Sequence, residues 1–148
     1  MNDLLDNLAI WIPLIIWFLV QSFKVIYELI KYRKINIKRI WGSGGMPSSH
    51  SALVCSLATV VALREGINSS NFAISIVLAA VVMYDAAGIR RAAGKQARVL
   101  NQILENEGEI NVQEKLIELL GHTPKEVFVG AIVGVFVSIL LYRLMVTI

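Results

Sequence analysis

The chain has 148 residues, 56% of them hydrophobic, a formal net charge of +3 and a mean hydropathy of +0.65. That is too apolar for an ordinary soluble domain, whose apolar share including glycine is nearer ~45–50%, and it predicts one integral membrane domain over 1–148. The single cysteine, Cys55, lies in an apolar segment and has neither a disulfide partner nor metal-ligand spacing around it, so its expected role is packing.

Residues 8–30 form the first apolar run, close to the ~20 residues a bilayer crossing needs. Asp3 and Asp6 stand where a cleavable signal would be basic, and no small-residue cleavage site follows, so this helix is expected to stay. Gln21, Lys24 and Glu28 share one stripe near its end. Lys24 is a candidate phosphate ligand because an ionisable residue inside a span marks function by default; snorkelling, or a pair with Glu28, is the competing explanation.

The segment Gly42-Ser43-Gly44-Gly45-Met46-Pro47-Ser48-Ser49-His50-Ser51-Ala52 follows. Glycines that let backbone approach a ligand, serine hydroxyls and a histidine at the start of a helix suit an anion, because helix N-termini expose unpaired N–H groups. Ser48 and Ser49 are candidate phosphate donors and His50 a candidate proton donor. A capping serine with His50 merely in the first turn accounts for the same residues. Residues 51–65 are short for a span and become long enough only if the helix begins at Ser48 and other protein shields it.

Residues 72–89 form the next run and lead into Tyr84-Asp85-Ala86-Ala87-Gly88-Ile89-Arg90-Arg91. Helical spacing puts Arg91, Lys95 and Arg98 on a solvated or headgroup-facing stripe. It puts Arg90 with Ala87, Gly94, Ala97 and Asn101, a small-residue face expected to pack on another helix and to bury Arg90 toward a site. A guanidinium there suits bidentate phosphate binding. Asp85 needs a partner; proton transfer competes with a structural ion pair, and five residues separate it from Arg90, too many for the two to meet on one continuous helix.

Residues 99–111, with Glu105, Glu107 and Glu109 around Gly108, read as a solvated turn, and 112–120 as a short amphipathic helix on the cytoplasmic membrane surface, stopped by Gly121. In Gly121-His122-Thr123-Pro124-Lys125-Glu126-Val127 the Thr-x-x-Glu pattern with proline at the first helical position is a capping box. His122 is not needed by the cap and is a candidate nucleophile, with Glu126 near enough to orient its ring. Residues 127–148 supply the last span. The expected fold is therefore all-α, a membrane helical bundle of about four transmembrane helices plus the short amphipathic helix.

Charge sets a sidedness. Lys31, Arg33, Lys34, Lys38 and Arg39 fall in the first loop and Arg90, Arg91, Lys95, Arg98, Lys115 and Lys125 in the third. The positive-inside rule makes both loops cytoplasmic and both termini external in the cell membrane. Anionic lipids are the expected partners of these basic loops, with no nucleic acid involved.

Three separated blocks carry a resemblance: Gly44 to Ala52 around Pro47-Ser48-Ser49-His50, Tyr84 to Asn101 around Arg90-Arg91, and Leu120 to Val127 around His122. Together they resemble the divergent branch of the type 2 phosphatidic acid phosphatase family, which is related to acid phosphatases and vanadium-dependent haloperoxidases. The resemblance implies a metal-free phosphatase without cofactors that works through a phosphohistidine. His122 would be the nucleophile, Glu126 its orienting carboxylate, His50 the acid, and Lys24, Ser48, Ser49 and Arg90, with Arg91 in reserve, the phosphate ligands. The chain departs from the relatives where Ser49 replaces glycine, Glu126 replaces aspartate, and Leu116 stands in place of an arginine six residues before His122. No Arg-Pro follows Lys31 or Lys38 at the relatives' spacing.

The function expected is hydrolysis of a membrane lipid phosphate from the cytoplasmic leaflet, with phosphatidylglycerol phosphate, phosphatidic acid and polyprenyl phosphates as candidate substrates. The alternative is a non-catalytic protein that binds anionic lipid or moves a lipid phosphate between leaflets. A divalent-metal hydrolase is a weaker third, since Asp85, Glu126 and the histidines make no compact ligand motif. A homodimer that completes the small site is compatible with the small residues near Arg90.

Overall fold

The computed structural model describes residues 6–33, 45–106, 116–118 and 120–147. Five helical segments occur among them: α1 (Leu8–Tyr32), α2 (Ser49–Glu65), α3 (Ser70–Ala87), α4 (Ile89–Asn106) and α5 (Pro124–Thr147). Of the expected features, Gly42 to Gly44, Lys34, Lys38, Arg39, Glu107, Glu109 and residues 112–115 lie outside the described residues.

The starts of α1, α2 and α3 each have a side-chain acceptor for the helix's unpaired N–H groups. Asn7 accepts from Ala9 N at 3.1 Å, Ser48 from Ser51 N at 3.4 Å and Ser69 from Phe72 N at 3.1 Å. The cap on α2 is the one that the serine pair predicts. Gly66, with φ 83°, ends α2 in backbone few other residues adopt.

Among the described residues three helical stretches are long and apolar enough to cross a membrane: α1, the α3–α4 run, and α5. The fourth expected span, α2, has 17 residues, about 26 Å of helix against ~30 Å of hydrocarbon. It lies at the centre, packed on α1, α3 and α5, and buries Ser49, Ser51, Ser56, Ala52, Val54, Ala58, Val60 and Val61. Surrounded in this way, α2 can carry polar side chains that lipid would not accept.

The side-chain contacts give the directions. Arg64 at the end of α2 donates to Asn7 at the start of α1, 2.8 Å, while Lys24 late in α1 reaches Ser49 at the start of α2. These two helices are antiparallel. In contrast, Ser48 meets Gly130 and Ala52 meets Gly134, so α2 and α5 run parallel and begin at the same end of the bundle. A Cβ on Gly130 or Gly134 would collide with the carbonyl oxygen of Ser48 or Ala52, so only glycine permits this approach. The apolar core joins Ile12, Ile16, Val20, Ala52 and Val60, with Val133, Val137 and Leu141 against it. Phe18, Ile30, Ile74, Val77, Phe128 and Phe136 point outward, an apolar belt that suits lipid.

Two expectations are corrected. The helix bearing Asp85 and Arg90 is not continuous: it breaks at Gly88, whose φ of −101° and ψ of −89° are not helical. And the described part of the expected amphipathic helix, residues 116–118 and 120, is not helical. Asn101 holds it as an extended strap instead, its side chain bonding Leu116 N at 3.0 Å, Leu116 O at 2.9 Å and Glu118 Oε1 at 2.9 Å. The small-residue face of α4 therefore packs on Glu118 and Leu120 and not on another of the described helices; a Cβ on Gly94 would stand 2.6 Å from Glu118 O and 2.8 Å from Leu120 O.

Candidate functional site

The parallel pairing of α2 and α5 brings two helix starts, and with them both histidines of the chain, to one end of the bundle. The His50 and His122 rings stand edge to face with centroids 6.5 Å apart. Ser48 N donates to Glu126 O at 3.0 Å, tying the two starts together through the backbone.

His122 is fixed from three directions. Its N–H donates to Ala86 O at 2.9 Å, at the end of α3. Gly121 before it has φ 79° and lies on the backbone of Arg91, where any Cβ would overlap Arg91 N. Its ring Nδ1 lies 3.2 Å from Glu126 Oε2. The ring is buried, 2% exposed, and Nε2 has no hydrogen-bond partner among the described residues.

The cap and the orienting carboxylate, which competed for Glu126 on sequence grounds, prove to be one arrangement. Glu126 N donates to Thr123 Oγ1 at 3.4 Å and Thr123 N donates to Glu126 Oε2 at 2.9 Å, the reciprocal pair of a capping box. The same Oε2 receives His122 Nδ1. A proton on Nδ1 facing a carboxylate leaves the lone pair on Nε2. Burial pushes the His122 pKa below its ordinary 6.5, with Lys24 and His50 pushing the same way and Glu126 opposing them, which favours the neutral ring.

Lys24 enters this end from α1. It is 6% exposed, and its Nζ lies 3.5 Å from Ser49 Oγ, a long hydrogen bond. Ser48 is fully buried, its Oγ accepting from Ser51 Oγ at 2.9 Å as well as from Ser51 N. Gln21 is buried beside Lys24 on the predicted stripe of α1.

Asp85 and Arg90 differ from expectation. Arg90 Nε lies 2.5 Å from Asp85 Oδ2, because the break at Gly88 resets the helical spacing that would separate them. Nor is Arg90 buried: its side chain is 49% exposed, whereas Arg91, assigned to the solvated stripe, is half-buried where Gly121 crosses its backbone. Arg90, Lys24 and Asp85 still lie close enough to His50 to act on its charge. Sequence reasoning missed Gly130 and Gly134, which set the distance between the two helix starts; their G-x-x-x-G spacing was the available signal.

A family model described as the divergent PAP2 family matches residues 5–137. The chain belongs to the divergent PAP2 family. The resemblance to that divergent branch thus extends over most of the length. A relative within reach is the uncharacterized membrane protein YuiD of Bacillus subtilis (strain 168), 41% identical over 152 aligned positions that cover 94% of this chain and 96% of that protein. No solved structure matches. Family membership, that relative and three membrane-length helices make this chain a membrane protein.

Proposed function

We propose that this chain is a metal-independent lipid-phosphate phosphatase, with His122 as nucleophile and His50 as general acid. The observation that carries the proposal is the His122 ring: Nδ1 against Glu126, and Nε2 buried, without a hydrogen-bond partner among the described residues, on a ring that faces a second histidine. A merely structural histidine would have both nitrogens satisfied, because a buried polar atom left unpaired costs about 1–3 kcal/mol.

In the first step the Nε2 lone pair attacks phosphorus, the bond from phosphorus to the ester oxygen breaks, and His50 protonates the departing alkoxide. Water then attacks the phosphohistidine, His50 takes its proton, and inorganic phosphate leaves with His122 restored. The two rings face each other at one end of the bundle, which puts nucleophile and acid beside one site. Lys24, Ser49 and the first N–H groups of α2 neutralise its charge, while Ser48 holds that turn in shape. Arg90 joins only by loosening its contact with Asp85, and Arg91 stands behind it.

Charge bias in the loops supports placing this end of the bundle at the cytoplasmic face, with both termini outside. That leaflet favours phosphatidylglycerol phosphate or a related lipid monoester as substrate. The test is phosphate release from a panel of lipid phosphates by the purified protein, with His122→Ala as control. Release by the parent and none by the variant is expected; saturable lipid binding with no release by the parent favours the non-catalytic reading.

A further inference from the structure

An apolar groove of about 650 Å³ runs between α1 and α5 beside the candidate site. Ile16, Leu19, Val20 and Phe23 form one wall and Val129, Val133 and Val137 the other, with Met46 and Pro47 at one end. Lys24 stands on its wall and is also the residue that reaches Ser49 and acts on His122. Glu28, one turn further along α1, is the carboxylate of the lining.

We propose that this groove holds one hydrocarbon chain of a membrane lipid whose phosphate monoester sits at Lys24. The inference rests on the phosphatase reading for the purpose of the site and goes beyond it in naming where the lipid tail lies and which helices it passes between.

Length and polarity agree with this occupant. From Lys24 to Ile16 the groove follows eight residues of α1, and from Val129 to Val137 eight residues of α5, each about 12 Å of helix, near the ~15 Å half-thickness of the hydrocarbon core. A chain anchored by its headgroup beside the histidines would thus reach about the midplane. A soluble phosphate ester would have no use for such a wall. The surrounding bilayer is as apolar as the valines, so the tail gains packing but no transfer energy on entering, and selection falls to the charged headgroup. A lipid with an exposed phosphate monoester is therefore held in preference to a zwitterionic one with the same chains.

The test uses the full-length protein in phosphatidylcholine vesicles containing a trace of phosphatidic acid with a diazirine midway along one chain. After illumination the adducts are mapped by mass spectrometry, and phosphate release is read in the same vesicles. Adducts are expected on Leu19, Phe23, Val129, Val133 and Val137, about ten-fold above those from diazirine-bearing phosphatidylcholine. Val133→Trp, which fills the groove, and Leu19→Trp on its half-exposed wall should each lose most of this label. Equal labelling by the two lipids, or label confined to outward residues such as Phe18 and Phe136, overturns the proposal; this comparison on the parent protein needs no variant to fold. Groove label with no phosphate release from any lipid phosphate of the panel upholds the groove and removes the phosphatase reading. Release without groove label does the reverse.

Discussion

The end where α2 and α5 begin and the corner where α3 meets α4 both present charged groups of the candidate site, yet different forces hold them. His122 is buried and set by a backbone hydrogen bond, a glycine with no room for a side chain and a carboxylate already committed to a helix cap. Arg90 and Asp85 form an ion pair in which both side chains are substantially exposed. Groups positioned by packing keep their geometry whether or not a ligand is present. Those held by an exposed ion pair exchange partners at little cost, since such pairs are worth about 0–1 kcal/mol. The first region is set by packing, and the second is free to exchange partners.

Substitutions should separate the two regions by size of effect. His122→Ala is expected to remove turnover by ~10⁴-fold or more while leaving the fold intact, as a lost nucleophile does; phosphate release together with a thermal melt in detergent checks both halves. Glu126→Gln keeps a cap acceptor but offers Nδ1 no carboxylate and can reverse the tautomer, for an expected loss of ~10³–10⁴. If it turns over like the parent, the carboxylate serves only the cap.

Gly134→Leu should act on assembly and not on chemistry alone. The new side chain meets the Ala52 carbonyl and forces α2 from α5, a cost of at least ~1–3 kcal/mol from overpacking that shows as a lower melting temperature. Asn101→Ala frees the strap before His122 at about 1–3 kcal/mol, and is expected to lower turnover more than it lowers lipid binding. The smallest effect belongs to the exposed corner: Asp85→Asn should change stability by less than about 1 kcal/mol. A large loss there would show that the two regions do not differ as described.

Much of the site end was legible in the sequence because caps are local. Ser48 before an apolar run and Thr-Pro-x-Glu before another determine helix starts within a few residues, and both starts lie where those patterns put them. The need for α2 to be shielded followed from its length. What local patterns do not carry is the meeting of distant segments. The break at Gly88 reset the helical phase, so the faces assigned to Asp85, Arg90 and Arg91 came out differently. Residues 116–118 carry a helix-like apolar pattern, but the side chain of Asn101 takes up the hydrogen-bonding groups of Leu116 and draws the segment out as a strap. Glycine spacing in α5 was readable as a packing motif, but only the partner helix shows which contact it serves.

The pH dependence follows from the His122 environment. Its pKa is lowered, so the neutral nucleophile is present above that depressed value and is lost as pH falls through it; the acid limb of the rate profile should lie below 6.5. The same sign applies to stability: the buried neutral ring favours the folded state fully above 6.5, and the benefit declines as acid protonates it.

The most direct measurement is a rapid acid-free quench of the protein during turnover of a lipid with a radiolabelled phosphate, followed by peptide mapping. An acid-labile, base-stable phosphoryl adduct is expected on His122 and is expected to be absent from His122→Ala. Phosphate release at the parental rate by His122→Ala, or an adduct on any other residue, would contradict it.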